Sequence, residues 1–463
     1  MSGRLSRSIW VSVFVLGSLF VFGYLLYQPR NGRALPIKII LDGYGNPNST
    51  AIIPPEERIV VSVKTGASEA AERIPTQRQT CLRDVKHVLF FSDLEQDLGE
   101  YHLFDALDTV AKSVTNNNPD FEFYFKQQEL WKSTRNLTSL QGAKHPDSPS
   151  ELAAWTLDKY KNVHMLEKTW ALKPDMDWYI FIDADTYLVW PNVRKWLSTL
   201  NPNNKYYFGS AVVASGMTFA HGGSGIFLSG ASMYELVVKN KGTAAHWDPK
   251  THKKCCGDLI LGMALEDCGV ILQDVWPLVS GEAPSTMPFG PGTPEYRCRP
   301  ALSMHHVSPD EMRNFSAYED RRINKSVGRV VQNKDDKPSN HLVQDILTHT
   351  ELFKTFVTPS MVSERENWDN LAAEKGEFGK TGGVTSEAAS FEDCAHACEV
   401  DEKCFQYSHH GRTCNVGMSV RLGYKKEADQ EGVWRSGWNL TRLTDWASKR
   451  PVCEHLTFPK QDV

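Results

Sequence analysis

Two aspartates, Asp183 and Asp185 in DWYIFIDADTYLVW (residues 177–190), follow directly on an apolar run from Trp178 to Ile182. A strand that is apolar on successive residues is buried on both faces, and in open α/β sheets ligands bind beyond the carboxyl ends of the strands. Side chains at i and i+2 of an extended chain point the same way, so these carboxylates can converge on one hard divalent cation that also holds a diphosphate. The same pair serves as well in an Asx-type turn or a helix cap.

Three further stretches offer chemistry. HGGSGIFLSGASM (221–233) sets Gly222, Gly223 and Gly225 ahead of an apolar run, where backbone can approach a ligand closely or form an ordinary tight turn. CCGDLILGMALEDCGV (255–270) puts Asp258 at the start of a helical pattern, as an available carboxylate or as a cap. ALSMHHVSPDEM (301–312) supplies His305 and His306, which suit a cation or a structural role.

The elements that must position these residues alternate. RIVVSVKTG, HVLFFSD, WYIFID and YYFGSAV read as strands; YHLFDALDTVAKSV, LDKYKNVHMLEKTWAL and PNVRKWLSTL read as helices. This order predicts an α/β domain with a mostly parallel sheet. With 463 residues, 41% hydrophobic and 23% charged, the chain has material for a substantial core and two or three folded units. A net charge of -5 and no basic stripe exclude a nucleic-acid partner from the expectations.

Taken in order, strand IVVSVKTG, strand HVLFFSD, Asp-x-Asp after WYIFI, GGSGIFLS, GDLILGMAL and MHHV resemble glycosyltransferase family 31. Within it, the likeness is to Fringe-type and core 1 β1,3-galactosyltransferase-like enzymes, over roughly residues 58–310. The resemblance implies a GT-A fold, a Rossmann-like mixed sheet with helices on both faces that holds a UDP-sugar. It implies that Asp185 and His305, with His306 as the alternative, ligate Mn²⁺ or another divalent cation, and that Asp183 supports metal and donor. Asp258 corresponds to the general base. Val63, Lys64 and Thr65 fall beside the nucleotide, and Asp93, Ala184, Gly222 and Gly223 complete the expected donor site. Ala184 stands where the family commonly has a third acid, and Gly257 where it has the first of two.

The implied activity is a metal-dependent inverting transfer of a hexose or N-acetylhexosamine to a hydroxyl of a glycan or glycoprotein, forming a β1,3 linkage. Such a displacement develops negative charge on UDP, which a cation stabilises, while the acceptor hydroxyl needs a base on the opposite face. One carboxylate cannot serve both ends. The alternative is an anchored carbohydrate- or protein-binding protein with a degenerate catalytic domain. IDADTYL also fits the Asp-x-Asp-x-Thr motif of haloacid-dehalogenase-like phosphatases, although at least two strands precede it here.

Residues 9–27 carry no charge, close to the ~20 that span a bilayer and longer than the apolar region of a cleaved signal peptide. Beyond them lie sequons at Asn48, Asn136, Asn314, Asn324 and Asn439 and all ten cysteines, which suit an oxidising lumen. The expectation is a type II, single-pass Golgi membrane protein with a signal-anchor: a tail at 1–8, the anchor at 9–27, a stem at 28–57 and the GT-A domain at 58–355. A linker at 356–390 then leads to a cysteine-rich α+β module at 391–453. SFEDCAHACEVDEKCFQYSHHGRTCNVG resembles a PAN/Apple module, which implies pairing of Cys394 with Cys414 and Cys398 with Cys404. Such modules bind protein or carbohydrate; a cap that only stabilises the C-terminus is the other role open to it. Adjacent cysteines rarely pair for geometric reasons, so Cys255 and Cys256 are each expected to reach a different partner.

Overall fold

The computed structural model describes residues 56–291, 293, 298–332, 346–373 and 384–449, with Cys453 and Phe458. The first strands are β1 (Ile59–Lys64), β2 (His87–Ser92), β3 (Gln96–Leu98), β4 (Tyr101–Asp105), β5 (Trp178–Asp183) and β6 (Tyr187–Leu188). β7 (Tyr207–Gly209), β8 (Ala211–Ala214), β9 (Met217–Ala220), β10 (Ile226–Ser229), β11 (Leu272–Asp274), β12 (Val279–Ser280) and β13 (Ser303–Met304) follow. Eight of them form one sheet in the order β11-β7-β10-β5-β1-β2-β4-β3.

β1 lies parallel between β2 and β5, as β-branched residues buried on both faces favour. Val61, Val63, Ile180 and Ile182 enter one apolar core, under the helices Ala70–Gln79 and Trp190–Leu197. Val60, Tyr179 and Phe181 enter the other, under the helices Lys161–Leu172 and Gly257–Asp267. The sheet is mixed, as the family resemblance implies: β10 runs antiparallel to both β5 and β7, and β3 to β4, while the other neighbours are parallel. The cause is local. The glycine loop 221–225 lies at the carboxyl end of β5, since Ile226 pairs with Phe181, and the chain has to run back from there.

A second, five-stranded antiparallel sheet has the order β14-β20-β17-β18-β16, made of β14 (Glu364–Glu366), β16 (Val384–Glu387), β17 (Gln406–His410), β18 (Thr413–Gly417) and β20 (Arg435–Trp438), while β15 (Trp368–Asp369) and β19 (Tyr424–Lys425) pair beside it. β14 and β16 come from the 356–390 segment. The helix Phe391–Val400 is joined to this sheet by Cys394–Cys414, and Cys398–Cys404 closes its end, the pairing the PAN/Apple resemblance implies. Cys255 and Cys256, against expectation, are bonded to each other. Cys268 lies at the far end of the 11-residue helix that follows them, roughly 16 Å away at 1.5 Å per residue. Cys81 is buried against the carbonyls of Gln77 and Thr186.

The two sheets share an apolar cluster. Met287, Phe289 and Phe353 pack with Phe405, Val420, Leu422 and Trp438. Phe289 and Val420 exchange both backbone hydrogen bonds, at 2.9 and 2.6 Å, and Cys298–Cys453 adds a covalent tie.

Among the described residues no helix is long and apolar enough to cross a membrane, and residues 9–27 lie outside them. The anchor, the membrane partner, the type II topology and the Golgi membrane location have no support in the structure and are set aside. For the docked sheets, Phe289→Ala is expected to cost about 3–5 kcal/mol through the cavity it opens, read as a lowered denaturant midpoint. A loss below about 1 kcal/mol would contradict the contribution assigned to this cluster.

Candidate functional site

The register of β1 against β5 sets Lys64 opposite Asp183 at the carboxyl edge of the sheet. The Lys64 ammonium lies 3.4 Å from Asp183 Oδ1 and donates to Asp158. Burial works against its charge, but Asp158 and Asp183 outweigh it and hold the ammonium above the ordinary lysine range. Burial likewise pushes the Asp183 carboxyl up, opposed by Lys64. The turn itself is pinned by Gln77, whose Nε2 donates to the carbonyls of Asp183 (3.0 Å) and Thr186 (2.8 Å).

Asp185 is delivered to the histidines by pairing further along. β13 runs antiparallel to β6, Met304 opposite Tyr187, and the Val307 N–H donates to the Asp185 carbonyl at 2.9 Å. His305 Nε2 then stands 3.0 Å from Asp185 Oδ1, and His306 Nδ1 3.7 Å from Oδ2. His306 adopts a left-handed backbone, φ 57°, uncommon for a residue with a side chain. Arg73 Nη1 lies 3.3 Å from Asp185 Oδ2. Burial opposes the Asp185 charge, but hydrogen bonds from His305 and His306 hold its carboxyl well below the usual range.

Asp185, His305 and His306 could thus hold a metal ion. Of the expected ligand set, Asp185 and His305 are in this cluster, His306 joins them, and Asp183 faces Lys64, with Oδ2 4.0 Å from His305 Nε2. The donor set fits the group: His305 Nδ1 is buried without a hydrogen-bond partner, and a carboxylate with imidazoles suits first-row divalent cations.

The glycine loop packs between the histidines and Asp258. A Cβ on Gly223 would sit 2.3 Å from His305 Cε1, so only glycine lets the loop pass. The Gly223 carbonyl accepts from Thr186 Oγ1 at 2.7 Å, and the Gly222 N–H donates to Asp258 Oδ2 at 3.0 Å. Asp258 Oδ1 accepts from the Leu259 N–H at 2.9 Å, in the first turn of its helix. The missing acid at 257 has a steric reason: a Cβ there would lie 2.7 Å from the Lys159 carbonyl oxygen.

These groups line one cleft of about 570 Å³, which includes Lys64, Thr65, Asp183, Ala184, Asp185, Gly222, Gly223, Asp258, His305 and His306. Val63 and Asp93 are not part of its wall; both are fully buried behind it. Asp93 accepts from the Ala67 N–H at 2.7 Å and faces Lys161 at 3.4 Å. Sequence reasoning missed Asp158, Lys161, Arg73 and His221. Lys161 donates to the Thr65 carbonyl at 3.0 Å and lies 3.5 Å from Asp158. His221 is pushed down to about 4 by burial beside His305. Their signal was faint: single polar residues inside helical or loop segments.

With Mn²⁺ as the probe, Asp185→Asn should weaken binding in calorimetry by more than the roughly 10–100-fold typical of a supporting residue. Affinity should also fall as the pH drops through His306, whose hydrogen bond to Asp185 raises it above the ordinary 6.5, because a protonated ring has no lone pair for the metal. Unchanged binding in the variant, or none in the unaltered chain, would contradict this.

The chain is similar to a crystal structure of a glycosyltransferase involved in the glycosylation of the major capsid of PBCV-1. The identity is 11%, covering 56% of this chain and 98% of that one, with a TM-score of 0.26, a likeness too slight to argue from. The PAN/Apple resemblance gains no support, since the family match ends at residue 278. Residues 55–278 match the family model described as Fringe-like, and a Fringe-like glycosyltransferase domain is thereby supported at the level of the family.

Proposed function

We propose that the cleft transfers a hexose or N-acetylhexosamine from a UDP-sugar to a hydroxyl of a glycan or glycoprotein, with inversion and a β1,3 linkage. The observation that carries this reading is the placement of two opposed functions in one cleft. Gly223 packs on His305 of the Asp185, His305 and His306 cluster, Gly222 holds Asp258, and Lys64 and Arg73 stand by Asp183 and Asp185 in the same cleft. A divalent cation at the cluster would stabilise the departing diphosphate as a Lewis acid. Lys64 and Arg73 would add positive charge along the same path.

Asp258 is the proposed general base. Backbone N–H groups of Gly222 and Leu259 fix its carboxylate, which leaves lone pairs for the proton of the acceptor hydroxyl. In this reading the oxygen of the acceptor bonds to the anomeric carbon as the bond from that carbon to the diphosphate breaks.

The test is UDP release and product formation with a panel of UDP-sugars, Mn²⁺ and glycan acceptors, with and without a chelator. Chelation should abolish transfer. Asp258→Asn should lower kcat by about 10²–10⁴-fold while calorimetric affinities for Mn²⁺ and UDP persist. Undiminished turnover in that variant, or metal-independent transfer, would refute the assignment.

A further inference from the structure

The cleft has an apolar rim that the donor chemistry does not use. Leu152, Trp155, Val212, Val213, Ala214 and Phe219 all border it. Trp155 is 57% exposed and Val213 73%. Large apolar side chains left in water at the edge of a cleft gain free energy when a ligand covers them.

Both elements of this rim are fixed to the helix that carries Asp258. Trp155 sits on the short helix Ala153–Asp158, and the next residues run under the start of the Asp258 helix. There, a Cβ on Gly257 would lie 2.7 Å from the Lys159 carbonyl oxygen and 3.1 Å from Asn162 Cγ. Val213 is on β8, paired with β9, and Phe219 of β9 packs so closely on this helix that a Cβ on Gly262 would fall 2.6 Å from its own. The cations that suit a diphosphate, Lys64 and Arg73, are with Asp183 and Asp185 instead.

We propose that Trp155 and Val213 form the acceptor subsite, and that the acceptor is a neutral pyranoside whose C–H face stacks on the Trp155 indole. This rests on the transfer reading above. A pyranose ring in one chair presents an apolar face that an indole covers without needing charge, and the stack leaves the equatorial hydroxyls at its edge free. One of these then faces Asp258, which takes its proton as the new glycosidic bond forms and UDP leaves. The apolar rim selects against uronic acids, whose carboxylate would lose water there while the neighbouring Lys159 is already paired with Asp120 at 2.7 Å.

The test uses the full chain, a UDP-sugar and Mn²⁺, with methyl hexosides, methyl N-acetylhexosaminides and methyl uronosides as acceptor probes. Trp155→Ala should raise the acceptor KM about tenfold, Trp155→Phe by less than about threefold, and UDP affinity in calorimetry should stay within about twofold in both. Trp155 is exposed, so its loss opens no core cavity. An unchanged acceptor KM in Trp155→Ala, a weakened UDP affinity in its place, or preference for the uronosides would overturn the subsite. Absence of UDP release from the unaltered chain would overturn the transfer reading and the subsite with it; release with an unchanged acceptor KM overturns the subsite alone.

Discussion

Charge buried at the carboxyl edge of the large sheet has to be neutralised where it stands, and this requirement builds the cleft. Lys64 and Lys161 are both almost wholly buried. An ammonium in that position costs several kcal/mol unless it is paired and hydrogen-bonded. Asp158 faces both lysines, Asp183 completes the surroundings of Lys64, and Asp93 with the Thr65 carbonyl completes those of Lys161. The two ions thus tie β1, β5, β2 and the helix Lys161–Leu172 together at the point where each ends or begins. Asp185, two residues beyond Asp183, is carried by the same turn to the histidines.

The second sheet belongs to the same structural logic. The segment after β12 touches the site at one end and the C-terminal region at the other. A Cβ on Gly281 would stand 3.0 Å from Ser224 Oγ and 3.3 Å from His221 Nδ1, so this segment backs the glycine loop. Glu282 then pairs with the buried Arg421 at 3.3 Å, and Gly423 donates to the Ser285 carbonyl at 2.7 Å. The C-terminal region thereby braces a loop that leans on the cleft.

Much of this was legible in the residues. Apolar runs such as WYIFI announce strands buried on both faces because every second side chain meets a different core. Asp258, the glycines and the histidines were visible because few other roles need those types in that order. The antiparallel course of β10 was not, because a strand of four residues carries no mark of its direction. Lys161 and Asp158 were hidden inside a helical pattern, where a charged residue ordinarily faces water. The Cys255–Cys256 bond ran against the usual geometric rule, and Cys268, at the far end of the helix that follows, is out of its reach. Val63 and Asp93 were drawn into the expected donor site by sequence position, whereas their side chains point into the wall.

The central claim is that a divalent cation binds in this cleft through Asp185 and imidazole nitrogen. Pulsed electron paramagnetic resonance of Mn²⁺ bound to the full chain with UDP tests it most directly, because imidazole ligands imprint nitrogen couplings on the metal signal. The account predicts such couplings from at least one histidine, absent when His305 and His306 are both replaced by alanine. A tightly bound Mn²⁺ coordinated by oxygen alone, or couplings that survive the double replacement, would contradict it.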